Sequence, residues 1–148
     1  MAKYTVKSDP EKTAKAYGYE LHCSPKDSVN LAYALRGMKT DKAKKYLEEV
    51  MGLKRALPAV YHKRKVHHQK AIGPGSFPKK AAAYMLKVLK NAENNAEYKG
   101  FDPENMRIAH ISTYRGRVIQ GIMPRAHGRG SEFNEITTNI EIVLEEAE

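Results

Sequence analysis

The sequence predicts an α+β domain: three helices packed on one face of a small antiparallel sheet, with a long β-hairpin protruding beyond the body. Three observations predict it. Apolar residues recur at helical spacing in three segments between Ser24 and Gly100, and the final third switches to period two. The length of 148 residues suits one domain with a modest core. The organisation that follows is a single domain over 1–148, with 1–16 as an N-terminal extension, 53–76 as a basic loop and 106–146 as an extended hairpin.

Taken in order, "AYGYELHC" alternates, with Tyr17, Tyr19, Leu21 and Cys23 on one side and Gly18, Glu20 and His22 on the other, which predicts a short half-buried strand. Ser24-Pro25 then supplies a cap and a first-turn proline, with Asp27 near the positive helix end. Val29, Ala32 and Leu35 give that helix an inner face, and Gly37 stops it. A second helix starts at Thr40-Asp41, carries Ala43, Tyr46, Leu47, Val50 and Met51 as one stripe, and ends at Gly52. From Leu53 to Ser76 no period survives two prolines and two glycines, so the segment reads as an irregular loop. Ser76 and Pro78 suit the start of a third helix. Its Ala81, Met85, Val88, Leu89, Ala92 and Ala96 keep helical spacing until Gly100 and Asp102-Pro103. In "NEITTNIEIVLEE", Ile136, Thr138, Ile140, Ile142 and Leu144 alternate with Glu135, Thr137, Asn139 and Glu141, a strand with one wet face. "RIAHISTYRGRVIQGIM" is its less regular partner, and the glycines and proline between Gly121 and Gly130 suit a wide turn. Each arm exceeds the usual five or so residues of a strand in a compact domain, so the surplus projects.

Charge narrows the function. Lysine and arginine outnumber aspartate and glutamate 26 to 17, a formal net charge of +9 that favours a polyanion, nucleic acid first and anionic membrane second. No apolar run is long enough to span a bilayer, and the first residues lack the apolar segment of a signal peptide. The single cysteine, Cys23, allows no internal disulfide, which agrees with a reducing, intracellular setting. Between Gly52 and Ala92 there is no acid, yet Lys54, Arg55, Lys63, Arg64, Lys65, Lys70, Lys79 and Lys80 fall there. A second acid-free run, Asn105 to Ser131, has only arginine as its cation: Arg107, Arg115, Arg117, Arg125 and Arg129. A solvated surface does not need that choice. Guanidinium forks match phosphate bidentately and stack on bases, so the arm reads as a nucleic-acid contact, and its glycines let backbone amides approach a ligand. Tyr61, His67 and His68, interleaved with lysine and arginine, offer stacking surfaces suited to RNA with splayed bases.

Other chemistries fare worse. His62, His67 and His68 lack a second cysteine or carboxylate cluster and sit among cations that repel a metal. Cys23 and His22 point to opposite faces of a strand, so Cys23 reads as core. No phosphate-binding P-loop and no nucleophile–base constellation is present, so neither catalysis nor a cofactor is expected. A winged-helix DNA-binding reading, with the hairpin as wing, is the alternative; its recognition helix would be "DKAKKYLEEVMG", which carries Glu48 and Glu49 and nothing suited to base edges.

These motifs, in this order, resemble the large-subunit ribosomal protein twenty-two family in the universal numbering, archaeal and eukaryotic branch. "MPRAHGRG", Met123 to Gly130, is similar to the family's hairpin tip; "SPKDSVNLAYALRG" to its first helix, with Lys26 and Arg36 in matching places; "KAAAYMLKVLKNAENNAE" to its third helix; and "ITTNIEIVLEE" to its closing strand. The resemblance covers most of the chain from Tyr19 onward. It implies a cytoplasmic, ribosome-bound, non-enzymatic protein that binds large-subunit ribosomal RNA, touches neighbouring large-subunit proteins, supports assembly, contacts no DNA and no membrane, and lines the polypeptide exit tunnel. The tip residues Met123, Pro124, Arg125, Ala126, His127 and Gly128 would then face the nascent polypeptide, with Arg125 and Arg129 gripping RNA.

Overall fold

In the computed structural model, which describes residues 4–146, the chain runs β1 (Thr13–Leu21), α1 (Pro25–Leu35), α2 (Thr40–Met51), β2 (Leu57–Pro58), β3 (His68–Gln69), β4 (Gly73–Ser76), α3 (Lys79–Tyr98), β5 (Met106–Ile119), β6 (Ile122–Pro124), β7 (Gly130–Glu132) and β8 (Glu135–Glu146). Residues 1–3 of the expected N-terminal extension and residues 147–148 of the acidic C-terminus lie outside the described residues. The α+β class is as expected. An antiparallel sheet of order β1-β8-β5 carries the three helices on one face, and Ile108, Ile111, Ile140, Ile142 and Leu144 of the sheet are buried against Leu31, Leu35, Leu47, Met85 and Leu89 of the helices.

The helices start and stop much as their sequences dictate. Ser24 caps α1, its hydroxyl accepting from the Asp27 N–H at 3.4 Å, with Pro25 in the first turn. Gly37 takes a positive φ of 77° just beyond the C-terminal end. Val29, expected on the inner face, is only half-buried, while Ser28, Asn30 and Leu31 join Ala32 and Leu35 inside. In α2, Ala43, Tyr46, Leu47 and Val50 are buried as the stripe predicts, while Met51, expected among them, is half-buried at the last turn. Lys44 reaches across to Glu93 of α3 at 2.8 Å. Burial pushes the Lys44 ammonium down, but the hydrogen bond and charge of Glu93 outweigh it and leave the pKa raised. All six apolar positions expected of α3 are buried. Its expected cap is a correction: Ser76 pairs with Leu57 in the β2–β4 ladder, and Pro78 occupies the cap position without a side-chain bond.

Three strand readings also change. In β1 the buried side chains are Thr13, Ala14 and Ala16, with Gly18 on the same face as the two alanines, while Tyr19 is exposed; a bulge after Gly18, with Glu20 at φ 48°, flips the phase so that Cys23 still ends up inside. The expectation that Tyr17, Tyr19, Leu21 and Cys23 share one face fails because alternation cannot see a bulge. The strand β8 has no wet face. It is central, and Thr137, Asn139, Glu141 and Val143 are buried together with their alternates. The far side of the sheet is covered by the N-terminal segment: Thr5 donates its N–H to the Glu141 carboxylate at 3.1 Å and its hydroxyl to the other oxygen, which also meets His110 Nε2 at 3.1 Å. Tyr17 and Tyr114 join hydroxyl to hydroxyl at 2.8 Å beside them. Finally, the 53–76 loop is not wholly irregular, since β2, β4 and β3 form a small sheet of their own.

Candidate nucleic-acid interface

Pairing between β5 and β8 leaves the body and continues to Ile119 opposite Glu135; β6 and β7 then carry the ladder to Pro124 opposite Gly130. Two glycines make this possible. At Gly116, inside a bulge between Arg115 and Val118, a β-carbon would lie 2.5 Å from Thr137 Oγ1, whose hydroxyl donates to the Arg117 carbonyl at 2.8 Å. At Gly121 it would lie 2.5 Å from the Phe133 carbonyl oxygen. Both positions are thus occupied by the arm's own second strand, which corrects the expectation that these glycines open the backbone to a ligand. The tip is a 3-10 turn over Ala126–Gly128, closed by the Arg125 N–H donating to the Arg129 carbonyl at 2.7 Å, and reversed through positive φ at His127 and Gly128.

Along this arm Arg115, Arg117, Arg125 and Arg129 are all exposed, and among the described residues no carboxylate comes within ion-pair distance of any of them. Arg125 spends one donor on its own arm, Nε to Ser131 Oγ at 3.0 Å. That bond holds the guanidinium through Nε, and its terminal nitrogens make no hydrogen bond among the described residues. By contrast Arg107, at the body end of β5, pairs with Glu145 at 3.5 Å. Of the other tip residues Pro124, Ala126, His127 and Gly128 are exposed and Met123 is half-buried. Ile122 is 82% exposed and Phe133 65%, so the arm also shows apolar surface that none of the described residues covers.

The second cationic group belongs to the body. Lys54, Lys63, Arg64, Lys65, His67, His68, Lys70, Lys79 and Lys80 are exposed around the small sheet, as are Lys26 and Arg36 on α1. Lys26, Lys63 and Arg64 line one cleft of about 770 Å³ with Asp27, Asn30 and Tyr61. Arg55 is diverted. It pairs with Glu49 at 3.5 Å and lies over the Tyr46 ring at 4.7 Å, so less of it is free for an anion than its sequence context suggests. Two contributors escape the sequence. Asn30, buried on α1, accepts from the N–H groups of Val60 and Tyr61 at 3.1 and 2.8 Å and donates to the Tyr61 carbonyl at 3.1 Å, which fixes the loop to the helix. Tyr33 packs edge-on against Tyr61. An asparagine on the inner face of an amphipathic helix is the one signal that hints at such a clamp.

The side chains of His62, His67 and His68 are exposed, and among the described residues no group of three or more histidine, cysteine or acidic side chains is placed to hold a metal ion. Cys23 is buried, its sulfur 3.5 Å from Ser28 Oγ, while His22 points outward to Glu135 at 3.1 Å. Among the described residues no helix is long and apolar enough to cross a membrane.

With this geometry in hand, residues 16–145 match the family described as ribosomal protein L22p/L17e. The chain belongs to that family. It is 51% identical over 145 residues to the large ribosomal subunit protein uL22 of Methanococcoides burtonii, covering 97% of this chain and 96% of the relative. The uL22 proteins of Methanopyrus kandleri, 49% identical over 142 residues, and Methanocella arvoryzae, 47% over 146, are matched over 93% and 97% of this chain and 89% and 95% of their own. The tip, the basic loop and all of the hairpin but its last residue fall within the matched family span.

Proposed function

We propose that this chain is a structural constituent of the large ribosomal subunit in the cytoplasm, that it binds large-subunit ribosomal RNA through its exposed cations, and that it acts without catalysis. The arm passes between RNA segments, and the tip from Met123 to Gly128 lines the polypeptide exit tunnel, where it meets the nascent chain. The body rests against neighbouring large-subunit proteins and helps the RNA to fold during assembly. One observation carries this reading: an arm whose four exposed arginines have no carboxylate partner among the described residues and whose Ile122 and Phe133 lie uncovered. Phosphates would neutralise the first feature and stacked bases would cover the second. The winged-helix alternative gains nothing from α2, whose exposed positions mix Asp41 and Glu48 with Lys42 and Lys45.

The test is co-sedimentation of tagged protein with large subunits, joined to a salt titration of its affinity for large-subunit RNA. Replacing Arg129 with alanine should reduce the slope of log affinity against log salt by about one for each phosphate that the arm no longer neutralises. Binding that is indifferent to salt, or a tagged protein that stays at the top of the gradient, would overturn the reading.

A further inference from the structure

The cleft between α1 and the basic loop is built for more than phosphate. Its loop wall, from Ala59 to Arg64, is pinned by Asn30, which is 6% exposed and makes four hydrogen bonds: from Val60 N–H and Tyr61 N–H, and to the carbonyls of Tyr61 and Lys26, the last at 3.3 Å. That uses the whole capacity of the amide in its present pose. Beyond the clamp, His62 and Lys65 hold positive φ values of 55° and 63°, which side-chain-bearing residues seldom adopt and which persist only where surroundings enforce them. The outcome is a tyrosine, Tyr61, whose backbone is fixed through both its N–H and its carbonyl while its ring stays 47% exposed. Tyr33 meets it edge-on, centroids 5.7 Å apart and planes at 87°. The ring borders two depressions, one holding Lys26, Lys63 and Arg64, the other holding Arg36. Among the described residues none of these four cations has an ion-pair partner.

A pre-aimed aromatic face flanked on both sides by unpaired cations is the arrangement that single-stranded nucleic acid recognises: bases stack on the ring and the backbone tracks the charges. A paired helix offers no free base face to such a ring. We infer that Tyr61 is a stacking post for an unpaired ribonucleotide, with Lys63 and Arg64 on one side and Arg36 on the other holding the adjoining phosphates. The inference rests on the RNA-binding reading above and adds to it that this cleft selects an unpaired nucleotide, whereas the arm grips by charge. Asp27, the one carboxylate on the cleft wall, sits at the capped start of α1 and leaves the cationic side open to phosphate.

The experiment titrates the full-length chain with two fluorescent RNA probes of equal phosphate number, an oligoadenylate single strand and a fully paired duplex, using wild type, Tyr61→Phe, Tyr61→Leu and Lys63→Ala. Loss of the ring in Tyr61→Leu should weaken the single strand by about 5- to 100-fold and leave the duplex unchanged, while Tyr61→Phe keeps both affinities. Because Tyr61 is exposed, the leucine variant should melt like wild type, and the phenylalanine variant guards against a folding artefact. If Tyr61→Leu binds the single strand as wild type does while Lys63→Ala still weakens it, the stacking post is wrong, the RNA reading stands and Tyr61 is free for a protein neighbour. Equal weakening of both probes would make Tyr61 a mere prop of the loop and would also overturn the inference. Failure of the wild type to bind either probe would instead remove the RNA reading beneath it.

Discussion

The strands β5 and β8 form one ladder that lives in two environments. Toward Met106 and Glu146 it lies under the helices, with Ile108, Ile111, Ile140, Ile142 and Leu144 essentially inaccessible. Beyond Arg115 the same ladder leaves Val118 and Ile119 exposed, and its extension leaves Ile122 and Phe133 more so. The first half is held by burial of its own apolar side chains. The second has backbone pairing, two glycine-enabled close approaches and four arginines that repel one another. Hydrogen bonds open to water contribute little net stability, so what completes the arm must come from outside. The difference teaches that one ladder can be self-sufficient where helices cover it and depend on charge and pairing alone where they do not, which is the ground on which the proposed polyanionic partner rests.

Breaking the body should cost most. Leu47 is fully buried, and Leu47→Ala should destabilise the chain by about 2–5 kcal/mol in a denaturant titration, whereas Ile122→Ala should stay within about 0.5 kcal/mol of wild type. Next comes the root of the arm. Gly116→Val brings a side chain onto Thr137 and should cost about 1–3 kcal/mol by strain, read as weaker hydrogen-exchange protection from Arg115 to Ile119 with the helices unaffected.

A smaller effect is expected at alkaline pH. Burial raises the Tyr114 hydroxyl, helped by its bond to Tyr17, and the Glu93 partnership raises Lys44. Both folded pKa values stand above their unfolded ones, so the associated stability is present in full below about pH 10 and is lost as pH climbs through the folded values. Tyr114→Phe should flatten that alkaline decline, followed by thermal melts from about pH 8 to 11. Smallest in stability and largest in binding is Arg125→Ala: its melt should match wild type within about 0.5 kcal/mol, while its RNA affinity and salt slope both fall.

Much of this was legible where local chemistry decides. Ser24-Pro25-Asp27 announced α1, the Ala43-to-Val50 stripe announced α2, and the arm's excess length was visible in its period. Tertiary placement was not. Asn139 and Glu141 read as a wet face because polar alternation cannot tell water from the protein that covers it, and Thr5 and His110 reach Glu141 from distant parts of the chain. Strands of two residues, such as Leu57–Pro58, are too short for any period to register. The cations of the site were plain in the sequence, since lysine and arginine stay at the surface for solvation alone. Which of them are spoken for was hidden: Arg55 is turned toward Glu49 and Tyr46 only because α2 ends at Gly52 and folds the chain back. Asn30 was missed because its task, holding Tyr61, exists only after the loop has returned to α1.

The most direct measurement is residue-resolved hydrogen exchange of the full-length chain, free and bound to large-subunit RNA. Amides from Gln120 to Asn134 should exchange rapidly in the free chain and become strongly protected on RNA, while those of β8 beneath the helices stay protected in both. An arm as protected when free as when bound would contradict the account, because it would mean that the finger is stable without any polyanion around it.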